Sequence, residues 1–316
     1  MANISEQIRD EIAQYGLEPY LLDLESNGLT IVPPEVTGVT DALLDRCTEV
    51  LLAEFTRMTG CPISLENGPE GELEWPAGTD RIMARVGLPP EPKPSVMLMQ
   101  QLLQRDRCFR DLLTNPQVDA LVSSLIQGGF PFEFPFRMRR LDNSTSYLKW
   151  QSTPPDEGQT GFSRPGSIAL HPDQRGCPMP WGGNALHVNA TWMLTPYSKE
   201  DGCLAYVPRS HLAGGYPGPD ADARAVPAEG PRGAVVLWHG ATWHGSFPKR
   251  TPGLRLNAIG FYRHFSISPQ ENLQMTIPDG LWEDCAEPAR LREMLGVGDV
   301  FPYREQMMPV PRLARA

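Results

Sequence analysis

Residues 234–262, AVVLWHGATWHGSFPKRTPGLRLNAIGFY, decide how this chain folds. Ala234 to Trp238 is a short apolar run of the kind a buried strand needs. It gives way to His239-Gly-Ala-Thr-Trp-His244-Gly-Ser246, where glycines punctuate the chain. Leu254 to Tyr262 is a second strand, and its period of two puts Arg255, Asn257, Ile259 and Phe261 on one face. An arginine among apolar residues needs an anionic partner, because a guanidinium cannot shed its charge by deprotonation. That partner is either a structural Asp or Glu or the carboxylate of a ligand.

The same texture extends back to about residue 129. Phe132 to Arg139, Ser146 to Gln151, Ser167 to His171, Ala185 to Leu194 and Cys203 to Val207 are short runs separated by Gly, Pro, Asn and Asp. Repeated short strands with turn signals predict a β-sandwich or barrel. Upstream, the pattern is helical. Residues 4–14 have apolar positions at helical spacing. Residues 40–58 start at the cap Thr40-Asp41, carry a stripe of Leu43, Leu44, Val50, Leu51, Phe55 and Met58, and stop at Gly60. Between them, Gly28 to Pro34 reads as a short strand. Residues 62–93, rich in Gly, Pro and acids, read as a surface loop that, with the C-terminal helices, is a candidate lid. Asn115-Pro116 opens a helix that ends near Gly128. After residue 269 come short helices near 278–285 and 287–294, then an irregular Pro/Arg tail. No repeat or linker divides the chain. The expectation is one domain over 1–316: a helical part over about 1–128, a strand core over 129–268 and a helical tail over 269–316.

The 316 residues carry a net charge of −10. That balance gives no electrostatic footprint for nucleic acid and no polybasic segment for a membrane surface. Six cysteines, without a Cys-x-x-Cys pair, read as free thiols of a reducing compartment. The N-terminus, Met1-Ala-Asn-Ile-Ser-Glu6, lacks the basic start and apolar run of a signal peptide. No apolar run reaches the roughly 18 residues of a transmembrane helix. These features together predict a cytoplasmic protein without nucleic-acid or membrane partners.

All six histidines fall between His171 and His264. Within that window lie His171-Pro172-Asp173 and His244. Two histidines and a carboxylate are what an open-sided mononuclear iron(II) site needs. If Ser167 to His171 is a strand, His171 and Asp173 point to the same side. His239 competes with His244, and an unbroken strand would turn the two to opposite sides. The spacing to Arg255 and the neighbour Ser246 favour His244. His187 either lines a pocket or packs as a satisfied core histidine. His211 closes a turn, and His264 should be exposed. The tryptophans read mainly as core, with Trp181 a candidate for the substrate pocket. Arg139-Arg140 either meet an anionic substrate or stay solvated on a strand edge.

The motifs also occur in a telling order. His171-x-Asp173 comes first, then Glu200-Asp-Gly-Cys-Leu-Ala-Tyr-Val-Pro-Arg-Ser-His211, then Trp243-His-Gly-Ser246 with Arg255 eleven residues after His244. This set resembles the phytanoyl-CoA dioxygenase family of non-haem iron(II), 2-oxoglutarate-dependent oxygenases, closely over about 167–262 and loosely over 20–266. The resemblance implies a mainly β fold, with a double-stranded β-helix (a jelly-roll, cupin-like core) flanked by N- and C-terminal helices. It implies His171, Asp173 and His244 as the iron ligands and catalytic centre. Arg255 would pair with the distal carboxylate of 2-oxoglutarate, helped by Ser246 and, on the strand of Asn189, by Thr191. The family's glutamine three residues before the first metal histidine is replaced by Ile168, so Lys149, Tyr147 and Gln151 become candidates for the keto-acid end. Arg209 stands where the family has glycine, which implies a changed local turn. The implied reaction uses Fe(II), 2-oxoglutarate and O2, releases succinate and CO2, and oxidises a C–H bond of a small, hydrophobic or amphipathic metabolite. The family's bacterial and fungal branch that modifies secondary metabolites is the nearest in character. Because related halogenases lack the carboxylate, Asp173 favours hydroxylation or desaturation. Two other readings stay open: a catalytically silent jelly-roll that binds a small molecule, and a cupin-type metal enzyme without 2-oxoglutarate.

Overall fold

The computed structural model describes residues 4–79, 93–127, 136–151, 168–181, 183–271 and 273–299. The chain opens with helices α1 (Ile4–Gln14) and α2 (Glu18–Asn27), strand β1 (Leu29–Val32), and helices α3 (Pro34–Thr37) and α4 (Asp41–Thr59). The Thr40 hydroxyl accepts from Leu43 N–H at 3.3 Å and Gly60 closes α4 in the left-handed conformation. Such a hydroxyl cap contributes about 1 kcal/mol. The α4 stripe buries Leu44, Val50, Leu51 and Phe55, but Met58 is half exposed. Helix α2 has no clean apolar stripe, which hid it from the sequence pattern: Leu24 is buried while Leu22 faces solvent. Residues 62–93 are not a bare loop, since β2 (Ile63–Ser64) pairs with β3 (Gly68–Pro69); of this stretch, 80–92 lie outside the described residues.

Strand β4 (Val96–Gln100) and helices α5 (Leu102–Arg105), α6 (Arg107–Leu113) and α7 (Pro116–Gln127) lead to the core. There the chain forms β5 (Arg139–Lys149), β6 (His187–Met193), β7 (Leu204–Tyr206), β8 (Val226–Ala228), β9 (Val235–His239), β10 (His244–Ser246) and β11 (Asn257–His264). Helices α8 (Leu273–Thr276) and α9 (Pro288–Met294) follow. The end of the expected helix at Gly128, the run 132–135 and the tail from 300 lie outside the described residues.

The strands make antiparallel sheets: a six-stranded one ordered β1-β9-β6-β11-β5-β4, a three-stranded one ordered β10-β7-β8, and the β2-β3 pair. Alternation gives the large sheet two distinct faces. Val188, Ala190, Trp192, Val235, Leu237, Leu256, Ala258 and Tyr262 pack against the helices in one apolar core. The opposite face joins Leu29, Met193, Val236 and Trp238 to Ala205 and Ala228 of the small sheet and to Phe247. The chemistry-bearing residues sit on this second, inner face.

Several expectations change. The run before His171 is not a strand among the described residues; His171 makes an isolated bridge to His244, and Asp173 begins a 3-10 turn, Asp173–Gly176. Arg139 and Arg140 are neither solvated nor turned to a ligand. Arg139 is fully buried against Asp119 and Glu293, and Arg140 holds Asp299 at 2.6 Å. His264 is buried rather than exposed, and burial pushes its pKa down to about 4. Arg209 stands in the left-handed conformation, with φ 65° and ψ 5°, a backbone that glycine adopts without penalty. Its N–H is held there by the carbonyl of Asn27 at 2.9 Å. No disulfide joins any of the six cysteines. Among the described residues no helix is long and apolar enough to cross a membrane.

Candidate metal centre and carboxylate site

His171 and His244 come from segments far apart in sequence and are locked together through their backbones. His171 N–H donates to His244 O at 2.8 Å, and His244 N–H donates to His171 O at 3.0 Å. The crossing is close enough that a Cβ on Gly245 would meet the carbonyl oxygen of Ile168 at 1.8 Å. Ala169, at the approach to this crossing, takes φ 51°. A non-glycine residue there stores strain of about 1–2 kcal/mol. It aims the Ala169 carbonyl at His171.

Each histidine is oriented by its own chain. Nδ1–H of His171 donates to Ala169 O at 2.9 Å, and Nδ1–H of His244 donates to Thr242 O at 2.9 Å. With Nδ1 carrying the proton, both Nε2 lone pairs are free for a metal. Asp173 Oδ1 lies 4.0 Å from His171 Nε2 and 3.5 Å from His244 Nε2. The three ligand atoms lie within 4.8 Å of one another. Burial and the neighbouring His244 push His171 down to about 4, so it is a neutral ligand at neutral pH. Asp173 is steadied by Trp238, whose indole N–H donates to Oδ2 at 3.0 Å. Two imidazoles and a carboxylate on one side suit a divalent iron with open positions opposite.

The second half of the site surrounds Arg255. Its guanidinium is 6% exposed, and no Asp or Glu pairs with it among the described residues. One Nη donates to Gly202 O and lies 3.4 Å from the Ser246 hydroxyl. The Tyr197 ring lies 5.1 Å from its centre, and its Nε is buried with no partner among the described residues. A buried cation with no counter-charge is costly, so the site fits an anionic ligand. Lys149 Nζ donates to Ser246 Oγ at 3.0 Å and to Phe247 O at 2.9 Å. Tyr147, two residues along the same face of β5, has its phenol pushed up by burial and by the Asp173 charge, which sets it between the two halves. Thr191 lies on the inner face of β6, and its hydroxyl donates to Asn189 Oδ1 at 3.0 Å.

The other candidates separate from this group. Gln151 leaves the strand end and donates to Arg250 O at 2.8 Å. It borders a surface cavity of about 280 Å³ with Trp150, Lys93 and Gly253, none of which is a metal ligand. Trp181 donates to Cys177 O at 3.0 Å and packs edge-on against Tyr216, in a small apolar cluster with Ala241. His239 has both nitrogens engaged, Nδ1 accepting from Ala241 N–H at 3.0 Å and Nε2–H donating to Gly183 O at 3.4 Å. His187 lies on the inner face, stacked on Phe261. Sequence reasoning missed Trp238, Tyr197 and Gly202. Trp238 alone had a signal: strand periodicity puts it on the face opposite Leu237.

Two histidines and one carboxylate lie on the same face as a buried arginine that has no acid partner among the described residues, an arrangement able to hold a divalent metal and an anionic ligand. The phytanoyl-CoA dioxygenase (PhyH) family model matches residues 96–257, just over half of the chain, and the chain belongs to this family. It is similar to dioxygenase af480 of Aspergillus fumigatus, 28% identical over 216 residues. That match covers 66% of this chain but only 62% of the relative's length, under two thirds. Among solved structures it resembles the epimerase SnoN of nogalamycin biosynthesis, in complex with Fe3+, alpha ketoglutarate and nogalamycin RO. The TM-score is 0.52 at 18% identity, covering 79% of this chain and 84% of the other. HygX from Streptomyces hygroscopicus, with nickel and 2-oxoglutarate bound, gives 0.51 at 15% identity, covering 80% and 89%. At these identities the likeness is one of fold.

Proposed function

We propose that this protein is a non-haem iron(II), 2-oxoglutarate-dependent dioxygenase that oxidises a C–H bond of a small organic metabolite. The observation that carries the reading is Arg255: a buried guanidinium without an acid partner, on the same inner face as a three-ligand centre. Iron bound at that centre, with 2-oxoglutarate as electron donor and O2 as oxidant, would supply the oxidising power, releasing succinate and CO2.

The chain's own residues hold and orient. Arg255 and Ser246 take the distal carboxylate of 2-oxoglutarate, a charge-assisted pair sheltered from water by Tyr197. Lys149 fixes the Ser246 hydroxyl in that role. Tyr147 and Thr191 border the space toward Asp173, where the keto-acid end would lie. His171, Asp173 and His244 hold the metal, and the Trp238 indole keeps the carboxylate in place. Because the carboxylate ligand is present, hydroxylation is the favoured outcome, with desaturation next, on a substrate of secondary metabolism. The facing six- and three-stranded sheets support a double-stranded β-helix core. Strands β1 and β4, from the N-terminal third, complete the large sheet and support a single domain.

The test is succinate formation from 2-oxoglutarate by the iron-loaded protein. Asp173→Ala and His244→Ala should abolish it. Full turnover in either variant would sink the assignment.

A further inference from the structure

Beside Asp173 and its partner Trp238 runs a row of side chains with no part in holding metal or 2-oxoglutarate. Asn189, Phe261 and Asn143 stand directly opposite one another on β6, β11 and β5, and Trp238 of β9 stands opposite Asn189. Residues paired in this way project from one face, and the Trp238 bond to Asp173 identifies it as the face of the metal ligands. His187, two residues before Asn189, shares it. The His187 ring lies parallel to Phe261 at 5.1 Å, with 5° between the planes.

At this depth a sheet face is ordinarily apolar. Here two amides and an imidazole are each no more than 9% exposed. Their hydrogen bonding is incomplete. Asn189 Oδ1 accepts from Thr191, and Asn143 Nδ2 donates to Gln270 Oε1 at 2.7 Å. Asn143 Oδ1 and His187 Nδ1 are buried with no partner among the described residues. Such an orphan costs about 1–3 kcal/mol, and a ligand hydrogen bond would remove that cost.

Of the charges that reach His187, Asp173 belongs to the candidate metal centre and Arg263 is held by the protein. Arg263, opposite His187, donates to the carbonyls of Ile267 at 2.6 Å and Phe265 at 3.2 Å, and its Nε lies 3.5 Å from Asp142. Arg255 is six residues from Phe261, about 20 Å along an extended strand. Burial lowers the pKa of His187 and favours its neutral form. The chemistry left facing the ligand is neutral, able both to donate and to accept.

We propose that Asn143, Asn189 and His187, gathered around Phe261, form the specificity subsite for the substrate and take a neutral oxygen-bearing group, a hydroxyl or a ketone, rather than a carboxylate or an amine. This rests on the proposed function only in taking the Asp173 side as the place where the substrate meets the metal.

The experiment compares four probes that share one ring system: 1-naphthol, 1-naphthoate, 1-naphthylmethylamine and naphthalene. Dissociation constants are measured by ligand-observed NMR on the full chain without 2-oxoglutarate. 1-Naphthol should bind tightest. Asn143→Leu and His187→Phe, the latter keeping the ring stack on Phe261, should each weaken it about three- to tenfold and leave naphthalene unchanged. Circular dichroism melts confirm that both variants fold. Binding of 1-naphthoate or the amine as tight as that of 1-naphthol, failure of 1-naphthol to bind, or equal 1-naphthol affinity in wild type and both variants overturns the proposal. Calorimetry of 2-oxoglutarate on the wild type, run separately, tests the oxygenase reading. A null there would remove that reading and leave the probe ranking standing.

Discussion

The indole of Trp238 donates to Oδ2 of Asp173 at 3.0 Å and lies 4.9 Å from the ring of His244, so one side chain braces two of the three candidate ligands. Trp238→Phe keeps the ring and removes the N–H. We expect metal affinity to fall about 10- to 100-fold, read by competition against a chelator of known affinity, with little change in melting temperature.

Arg255→Ala removes the counter-charge for a ligand carboxylate. A charged hydrogen bond contributes about 1.5–3 kcal/mol, so 2-oxoglutarate affinity should fall roughly 10- to 150-fold by calorimetry. Arg255→Lys should recover only part of it, because an ammonium lacks the planar fork. Unchanged affinity in Arg255→Ala would remove the carboxylate pocket.

Gly245→Ala places a methyl group against the Ile168 carbonyl at 1.8 Å. Backbone must move to admit it, and the moving backbone is the crossing that holds His171 and His244 together. Metal binding should be lost while the helical signal in circular dichroism persists. Wild-type metal affinity in this variant would mean the crossing is not needed to assemble the ligands.

Arg209 stands in a left-handed conformation that costs a non-glycine residue about 1–2 kcal/mol, against about 0.5–1 kcal/mol of extra chain entropy for glycine. Arg209→Gly should therefore raise the unfolding free energy by about 0.5–1 kcal/mol in urea titrations. A loss would show that the arginine side chain contributes more than its backbone costs.

Burial alone would push the Asp119 carboxyl up, but Arg139, Arg137 and Arg290 overcome it and hold the group well below the usual carboxylate range. A lowered folded-state pKa gives stability that is present above the unfolded value, about 4, and is lost as pH falls through the folded value. Stability should decline with acid below pH 4. Asp119→Asn, which removes the carboxylate shared by three guanidiniums and leaves Arg139 only Glu293 and Arg137 only Glu11, should cost about 3–5 kcal/mol at neutral pH and flatten that acid slope.

Residues with a local pattern were legible in the sequence. The α4 cap and the inner-face alternation from Arg255 to Phe261 follow from spacing alone. The meeting of His171 and Asp173 was expected from strand periodicity, yet it arises from a bridge followed by a 3-10 turn. Periodicity describes regular backbone and has no hold on such a corner. The partners of Arg139 and Arg140 were hidden for another reason. Asp119, Glu293 and Asp299 come from helices and turns far along the chain, and no local rule brings them in. Gln151 was chosen by extending a strand past its end, where the chain turns to the surface. Glycine-like geometry at Arg209 is a case where the turn outweighs residue preference.

The paired amides of His171 and His244 join positions roughly seventy residues apart in sequence. Bringing the ends of so long a segment together is opposed by chain entropy, and contacts of that span form late in folding. We therefore expect the ligand set to assemble after the helices, once the strands have found their register. A chromogenic divalent ion added during refolding would serve as a clock for that last event.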